Sequence, residues 1–245
     1  MAEKLLPHIG LAKGSVSADV LVCGDPARAT RIAERLDEAV LLGEKREYRT
    51  FQGRFADKTI TVTSHGIGAP GAAIAFEELI AAGAQRIVRV GTCGGLQPDM
   101  RSGDLVVATA AVDFTGYGRS AVPKGYPAVA DPELALALRA AVKEHGRSPR
   151  SGIVFTSDIF YEGVYPALPL YHTMSQANVQ AVEMECAALF IIGSLRSVQT
   201  GAILVVDGNV LGEAETMDTF DPDQTVVKTA VDDATLITLR ALAKS

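Results

Sequence analysis

Acidic residues occur at two places where the surrounding sequence predicts a packed core. Glu183 and Glu185 precede the apolar run 187–192, and Asp207 directly follows the apolar run 202–206. A carboxylate in apolar surroundings is costly unless it is paired, hydrogen-bonded or used in chemistry. These residues are therefore candidates for substrate contact and for a proton-transfer step.

Simpler structural roles stay open for two of these residues. Glu185 fits a carboxylate at a helix N-terminus, where negative charge is favourable. Asp207 begins the tripeptide Asp207-Gly208-Asn209, whose composition is typical of a turn at the end of a strand. Taken singly, each residue fits the structural role as well as the chemical one.

Two arginines lie near the predicted carboxyl ends of strands. In Gly24-Asp25-Pro26-Ala27-Arg28 a strand ends and a helix begins, and the free amides of a helix start favour an anion. Arg28 in the first turn opposes the helix dipole, which a bound anion would relieve. Arg89 ends another apolar strand, and Thr92 adds a hydroxyl three residues later. Together these groups predict a phosphate site.

A solvated helix face is the alternative for Arg28, because arginine is mostly exposed in proteins. That alternative is weaker for Arg89, because an unpaired buried guanidinium is expensive.

The run Gly66-Ile67-Gly68-Ala69-Pro70-Gly71 matches the glycine pattern of dinucleotide-binding folds, between a predicted strand and a predicted helix. That pattern also needs an acidic residue at the end of the next strand, where this chain has Arg89-Val90-Gly91-Thr92. We therefore expect no nicotinamide or flavin cofactor, and interpret the glycines as allowing a helix to pack closely on the sheet.

Phe160 and Tyr161 follow a predicted strand in a loop, where aromatic rings can stack on a flat base. A ring buried beneath the loop is the alternative. His8 is a single histidine in a proline-bounded N-terminal segment, and by itself it predicts little.

Strand-like and helix-like segments alternate along the chain, which predicts an α/β fold. We expect a single domain over residues 1–245, with a central mixed, largely parallel twisted sheet and helices on both faces. The segment 212–223 is acidic and turn-prone, and we expect an exposed loop or lid there. The predicted strands are 19–23, 59–64, 86–90, 105–112, 151–156 and 201–206, and the predicted helices are 26–36, 71–82, 132–144, 184–196 and 224–243.

Composition narrows the classes of protein. The chain has 245 residues, 48% of them hydrophobic and 21% charged, which excludes disorder. The formal net charge of −6 disfavours a nucleic-acid or acidic-membrane partner. Cys23, Cys93 and Cys186 share no metal-type spacing, and we expect buried thiols in a reducing cytoplasm. Neither a secretion signal nor a membrane span is recognisable, so we expect a cytoplasmic protein.

The motifs together resemble the nucleoside phosphorylase family, which contains the hexameric purine nucleoside phosphorylases and the uridine phosphorylases. The resemblance covers nearly the whole chain, and through residues 201–208 it is nearest to the purine enzymes of protozoan parasites. The segments that carry it are His8-Ile9-Gly10, Gly24-Asp25-Pro26-Ala27-Arg28, Arg46-Glu47-Tyr48, His65-Gly66-Ile67-Gly68, Arg89-Val90-Gly91-Thr92-Cys93-Gly94-Gly95, Ser157-Asp158-Ile159-Phe160-Tyr161, Val182-Glu183-Met184-Glu185 and Val206-Asp207-Gly208.

The resemblance implies a phosphorylase-type fold and a role for each matching residue. It implies inorganic phosphate as co-substrate, no metal or organic cofactor, and a homohexamer built as a trimer of dimers with sites shared between subunits. The implied phosphate ligands are Gly24, Arg28, Arg89, Thr92 and, from a neighbouring subunit, Arg46. The implied nucleoside contacts are His8 across an interface, Phe160, Tyr161, Glu183, Met184 and Glu185, with Asp207 as the acid that protonates N7 of a purine.

These observations favour reversible phosphorolysis of purine nucleosides. Three alternatives remain: a uridine or broad-specificity phosphorylase, a hydrolytic nucleosidase on the same fold, and a non-catalytic nucleotide-binding module. Residues 162–166 lack the Gln and Arg with which uridine phosphorylases read uracil, and the arginines disfavour a hydrolase that needs no phosphate. The chain also departs from the parasite enzymes, because it has no tryptophan and no Cys-Pro after Asp207.

Overall fold

The computed structural model describes residues 4–161, 170–212, 220–221 and 223–244. Numbered along the chain, its strands are β1 (Asp19–Cys23), β2 (Asp37–Lys45), β3 (Tyr48–Phe55), β4 (Lys58–Ser64), β5 (Arg86–Gly95), β6 (Leu105–Phe114), β7 (Ala128–Val129), β8 (Pro149–Ser157), β9 (Ala181–Glu183) and β10 (Gln199–Asn209). Its helices are α1 (Pro26–Ala33), α2 (Ala69–Ala81), α3 (Gly116–Ala121), α4 (Pro132–Glu144), α5 (Tyr171–Gln176), α6 (Cys186–Arg196) and α7 (Thr225–Lys244). The loop expected over 212–223 lies mostly outside the described residues.

All the described strands join one mixed sheet, in the order β10-β6-β8-β9-β5-β1-β4-β3-β2, with β7 paired to β6. Strand β10 also pairs with β5, so β5, β10, β6, β8 and β9 form a closed ring. Closure into a barrel removes the free edges that an open sheet would expose on those strands. The four remaining strands of the order, β1, β4, β3 and β2, extend from β5 as an open sheet.

The prediction of an α/β fold with a mixed sheet is confirmed, whereas a largely parallel sheet is not. Parallel ladders join β1 to β4 and β5, β5 to β10, and β8 to β6 and β9. Antiparallel ladders are as frequent among the described strands, and join β3 to β2 and β4, β5 to β9, and β6 to β7 and β10. The short turns from β2 to β3 and from β3 to β4 allow only antiparallel pairing.

Four strands that run in the same direction bring their carboxyl ends to one edge of the sheet. Strand β1 is parallel to β4 and β5, and β10 is parallel to β5. The register places Val22 beside Arg89 and Cys23 beside Ser64, so the residues that follow β1 and β4 lie near the carboxyl half of β5. Ligand sites of α/β sheets form at such an edge.

Helices α1, α3 and α4 begin at a residue whose side chain accepts a cap hydrogen bond. Asp131 accepts a hydrogen bond from the Leu134 amide, Pro132 follows it, and α4 spans the predicted residues 132–144. Helix α6 is buried along most of its length, which explains the apolar run that the sequence shows there. Among the helices of the described ranges, none has the length and apolar character that crossing a bilayer would need.

Candidate active site

Arg89 lies at the centre of a buried polar cluster. It is 4% exposed, and its Nη2 lies 2.5 Å from Oε2 of Glu185. Its Nη1 lies 3.0 Å from Nε2 of His65, and its Nε lies 3.6 Å from Oε2 of Glu183. Burial by itself would lower the pKa of Arg89, but Glu185 and Glu183 raise it above its ordinary value. The guanidinium is therefore charged and held from several sides.

Gly91 makes room for that guanidinium. A Cβ at Gly91 would lie 2.7 Å from both Cζ and Nη2 of Arg89, which is closer than van der Waals contact allows. The side chain of Arg89 therefore lies directly against the backbone two residues ahead of it, and only glycine leaves that space.

Glu183 is fully buried, and the chain's own donors occupy both of its oxygens. Oε1 accepts from the hydroxyl of Thr156 at 2.5 Å, and Oε2 accepts from the amides of Glu185 and Cys186, both at 2.8 Å. This carboxylate thereby caps the start of α6, which begins at Cys186 rather than at the predicted Met184. Contact with substrate stays a prediction for Glu183, whereas its observed contacts position α6 and Arg89.

Glu185 occupies the N-cap position of α6, but its side chain makes no cap hydrogen bond. Its Oε1 accepts from the Gly68 amide at 2.6 Å, and Oε2 binds Arg89. Burial raises the pKa of Glu185, and the positive charge of Arg89 opposes that rise. Glu185 therefore lies at a helix N-terminus, as the structural alternative predicted, but its oxygens bind Gly68 and Arg89 rather than the amides of its own helix. Met184, which precedes it, is half-buried.

Asp207 lies within β10, which continues to Asn209, so the alternative of a strand-end turn is wrong. The ladder between β10 and β5 shifts register between Val206 and Gly208, which leaves Asp207 in a β-bulge. Bulges re-aim a side chain away from the regular strand direction and are frequent beside active sites. Burial raises the pKa of the Cys93 thiol well above its usual value and the Asp207 carboxylate adds to the rise, so the two side chains are neighbours.

Arg28 and Gly24 lie at the start of α1, on the same sheet edge. Asp25 accepts from the amides of Ala27 and Arg28, so the prediction that these amides are open to an anion is wrong. Arg28 itself fits an anion site: within the described part of the chain its buried Nε has no hydrogen-bond partner. Burial lowers the pKa of Arg28, and the positive charge of Arg89 lowers it further. An anion between the two guanidinium groups would relieve this repulsion.

The remaining predicted residues are more exposed. Thr92 is half-buried on β5, and Arg46 is exposed in the turn between β2 and β3. Nδ1 of His8 donates a hydrogen bond to Oε1 of Glu78 on α2 at 2.6 Å, and the His8 side chain is 41% exposed. Phe160 and Tyr161 pack edge to face at 5.1 Å and are exposed, so the alternative of a buried ring is wrong.

His65 is the residue of this cluster to which the sequence analysis assigned no role. It follows β4 directly, at the carboxyl edge that also carries Arg28 and Arg89, and this position is the signal that identifies it. Within the described residues, no group of three or more histidine, cysteine, aspartate or glutamate side chains is arranged to hold a metal ion.

The chain is similar to known proteins over most of its length. The family model described as "Phosphorylase superfamily" matches residues 19–243. A uridine phosphorylase of Treponema pallidum is 37% identical over 240 residues, covering 94% of this chain and 93% of its own. A purine nucleoside phosphorylase of Plasmodium vivax is 38% identical over 210 residues, covering 85% of each chain. The crystal structure of the Toxoplasma gondii purine nucleoside phosphorylase in complex with immucillin-H superposes with a TM-score of 0.93 at 37% identity, covering 100% of this chain and 97% of that one.

The fold, the buried cluster and these matches define an enzyme of the nucleoside phosphorylase class, as the motifs predicted. The chain belongs to the phosphorylase superfamily.

Proposed function

We propose that this enzyme is a purine nucleoside phosphorylase, which reversibly converts a purine ribo- or deoxyribonucleoside and inorganic phosphate into free base and pentose-1-phosphate. The observation that carries the proposal is the bulge at Asp207, which supplies a carboxyl group at the sheet edge that holds Arg89 and Glu185. A purine base leaves as an anion unless it receives a proton, and a carboxylic acid can supply that proton.

The other residues meet the remaining needs of the reaction. Breaking the C1′–N bond builds positive charge on the sugar, which a phosphate anion stabilises and then captures at C1′. Arg28 and Arg89 are the cations for that anion, with Gly24 and Thr92 beside them. Glu185 is a buried acceptor for the ribose hydroxyls, and Met184 adds apolar contact. Phe160 and Tyr161 supply aromatic surface for the base.

Substrate binding must rearrange the ion pair between Arg89 and Glu185. The 2.5 Å contact joins the proposed phosphate ligand to the proposed ribose ligand. A phosphate oxygen would replace Glu185 at Arg89, and a ribose hydroxyl would replace Arg89 at Glu185. Each substrate thereby frees a group for the other, which favours their binding together.

The proposed reaction needs no cofactor beyond phosphate as co-substrate, and a homo-oligomer would complete the site. His8 and Arg46 are exposed on one chain, as residues that serve a neighbouring subunit must be. We expect a hexamer of paired subunits, because the resemblance implies sites shared between subunits. We also expect the enzyme to be cytoplasmic.

The experiment that tests the function is a panel of inosine, guanosine, adenosine and uridine, each assayed with and without phosphate. We expect cleavage of purine nucleosides that depends on phosphate and releases pentose-1-phosphate. The second candidate is a uridine or broad-specificity phosphorylase, which the similarity to the Treponema uridine phosphorylase favours. Uridine cleavage without inosine cleavage would establish that candidate instead, and turnover without phosphate would establish a hydrolase.

Replacement of Gly91 by alanine is expected to weaken phosphate use, because its Cβ would displace the Arg89 guanidinium. A displacement of about 1 Å can cost about 10²-fold, so kcat/KM for phosphate should fall by that order. Steady-state kinetics at varied phosphate concentration measure the effect. Gly116→Ala is the control, because a Cβ there would lie 3.7 Å from Oδ2 of Asp158, which is an ordinary van der Waals contact. An unchanged phosphate dependence in a folded Gly91→Ala enzyme would contradict the expectation.

A further inference from the structure

We propose that His65 is a positioning residue that holds the Arg89 guanidinium in place for the phosphate oxyanion while leaving its positive charge available. The inference rests on the proposed function for the identity of the anion. Its geometrical basis lies wholly within one chain, between the carboxyl end of β4 and the middle of β5.

The hydrogen bonds of His65 define which ring nitrogen faces Arg89. Nδ1 lies 2.9 Å from the backbone oxygen of Gly66, and a carbonyl oxygen can only accept, so Nδ1 carries the hydrogen. Nε2 then presents its lone pair to Nη1 of Arg89 at 3.0 Å. Gly66 has a φ of 75°, a left-handed conformation that glycine adopts readily, and it allows the backbone oxygen to turn back to the ring.

Packing fixes the plane of the imidazole. His65 has no exposed surface, and its ring meets Phe76 edge to face with centroids 5.4 Å apart. A Cβ at Gly24 would lie 3.9 Å from Cε1 of His65, so the backbone after β1 lies against the ring. The ring therefore has little freedom to rotate away from Arg89.

The imidazole stays neutral, and this distinguishes it from the other partners of Arg89. Burial lowers the pKa of His65 well below its usual value, and the positive charges of Arg89 and Arg28 lower it further. Glu183 and Glu185 orient Arg89 but offset its charge. A neutral acceptor orients the guanidinium without cancelling the field that attracts an anion.

The role of His65 becomes larger when substrates bind. In the proposed reaction Glu185 leaves Arg89 for the ribose hydroxyls, and Glu183 lies 3.6 Å away with its oxygens engaged by Thr156 and two amides. His65 then still supplies a short hydrogen bond to Arg89.

The test compares His65→Leu, His65→Asn and His65→Gln. Leucine offers no acceptor and asparagine is too short to reach Arg89, whereas the carbonyl of glutamine can replace Nε2 as acceptor. Inorganic phosphate binding is measured directly by calorimetry, and KM values for phosphate and nucleoside are measured alongside kcat. We expect leucine and asparagine to weaken phosphate binding about tenfold or more, the effect of losing one hydrogen bond to a charged group. Glutamine should restore affinity to within about threefold, and the nucleoside KM should change less than the phosphate KM.

A second histidine provides a matched control. His145 lies 3.2 Å from Nη1 of Arg240 through Nδ1 and 3.2 Å from Asp233 through Nε2, at the end of α4 and against α7. His145→Gln therefore changes a histidine that also contacts an arginine, outside the proposed site. Phosphate binding should not change in this variant.

The outcomes separate this inference from the proposed function. Unchanged phosphate affinity in a folded leucine or asparagine variant overturns the inference, and so does a loss that glutamine fails to restore. If the unmodified enzyme binds phosphate and cleaves no nucleoside, the proposed function fails while the calorimetric comparison still decides the role of His65. If the unmodified enzyme binds no phosphate, the proposed function and the role of His65 both fail.

Discussion

Asp207→Asn is expected to lower kcat for inosine by about 10²–10⁴-fold, the usual contribution of a positioned general acid. Asparagine has nearly the same shape as aspartate and can donate a hydrogen bond, but it cannot transfer a proton to N7 of the departing base. The β-bulge would present asparagine at the same place, so the loss should be in the chemical step rather than in binding.

The sharpest comparison uses a nucleoside that needs no proton. In 7-methylinosine N7 is already alkylated, so the base leaves without protonation, and the variant should cleave it within about tenfold of the unmodified enzyme. Asp99→Asn is the control, because Asp99 is a surface carboxylate that pairs with Arg150. Equal losses on both nucleosides would show that Asp207 does not act as the acid.

Glu185→Ala is expected to lower kcat/KM by about 10²–10⁴-fold for every base, because two hydrogen bonds from the ribose to a charged acceptor are lost. The affinity for phosphate, in contrast, should not decrease. With Glu185 absent, phosphate no longer competes with a carboxylate for Nη2 of Arg89, so its dissociation constant should fall or stay unchanged. Calorimetry with phosphate and kinetics with inosine measure the two effects on one protein.

A 2′-deoxynucleoside tests whether Glu185 binds the 2′-hydroxyl. A 2′-deoxy sugar has already lost one hydroxyl, so Glu185→Ala should cost it less than it costs inosine. Glu44→Gln is the control, because Glu44 is an exposed carboxylate that pairs with Arg49. If Glu185→Ala binds phosphate more weakly and loses as much activity on the deoxynucleoside as on inosine, Glu185 only positions Arg89.

Several elements could be predicted from the sequence because their signals are local. The strand 19–23 is buried along its whole length and the helix 132–144 carries Asp131 and Pro132 at its start, and both have the predicted bounds. Strand β2 has no such local signal, and it was not predicted. The residues of β2 are mostly exposed, with Val40 and Leu41 at the surface, so no alternating apolar pattern marks it.

Local sequence patterns could not predict that the sheet closes into a barrel. Residues 202–205 of β10 pair with β5 on one side and with β6 on the other, in opposite directions. Both neighbours accept similar apolar side chains, so the sequence of β10 does not reveal which strands flank it or how they run. The strand pairs that close the ring join segments about a hundred residues apart in the chain, and such long-range pairing leaves no local signal.

The sequence by itself determined which residue types would meet at the site, because acids and arginines placed next to apolar strands are too costly to bury without partners. Only the tertiary structure determined which groups pair with these acids and arginines. Glu183 and Glu185 are two residues apart and look alike in sequence, yet the first caps α6 and lies 3.6 Å from Arg89, whereas the second binds Arg89 at 2.5 Å. That division depends on where β9 and α6 are held against β5 and β8, since a contact within a few ångströms is set by packing between elements and not by the order of residues along the chain.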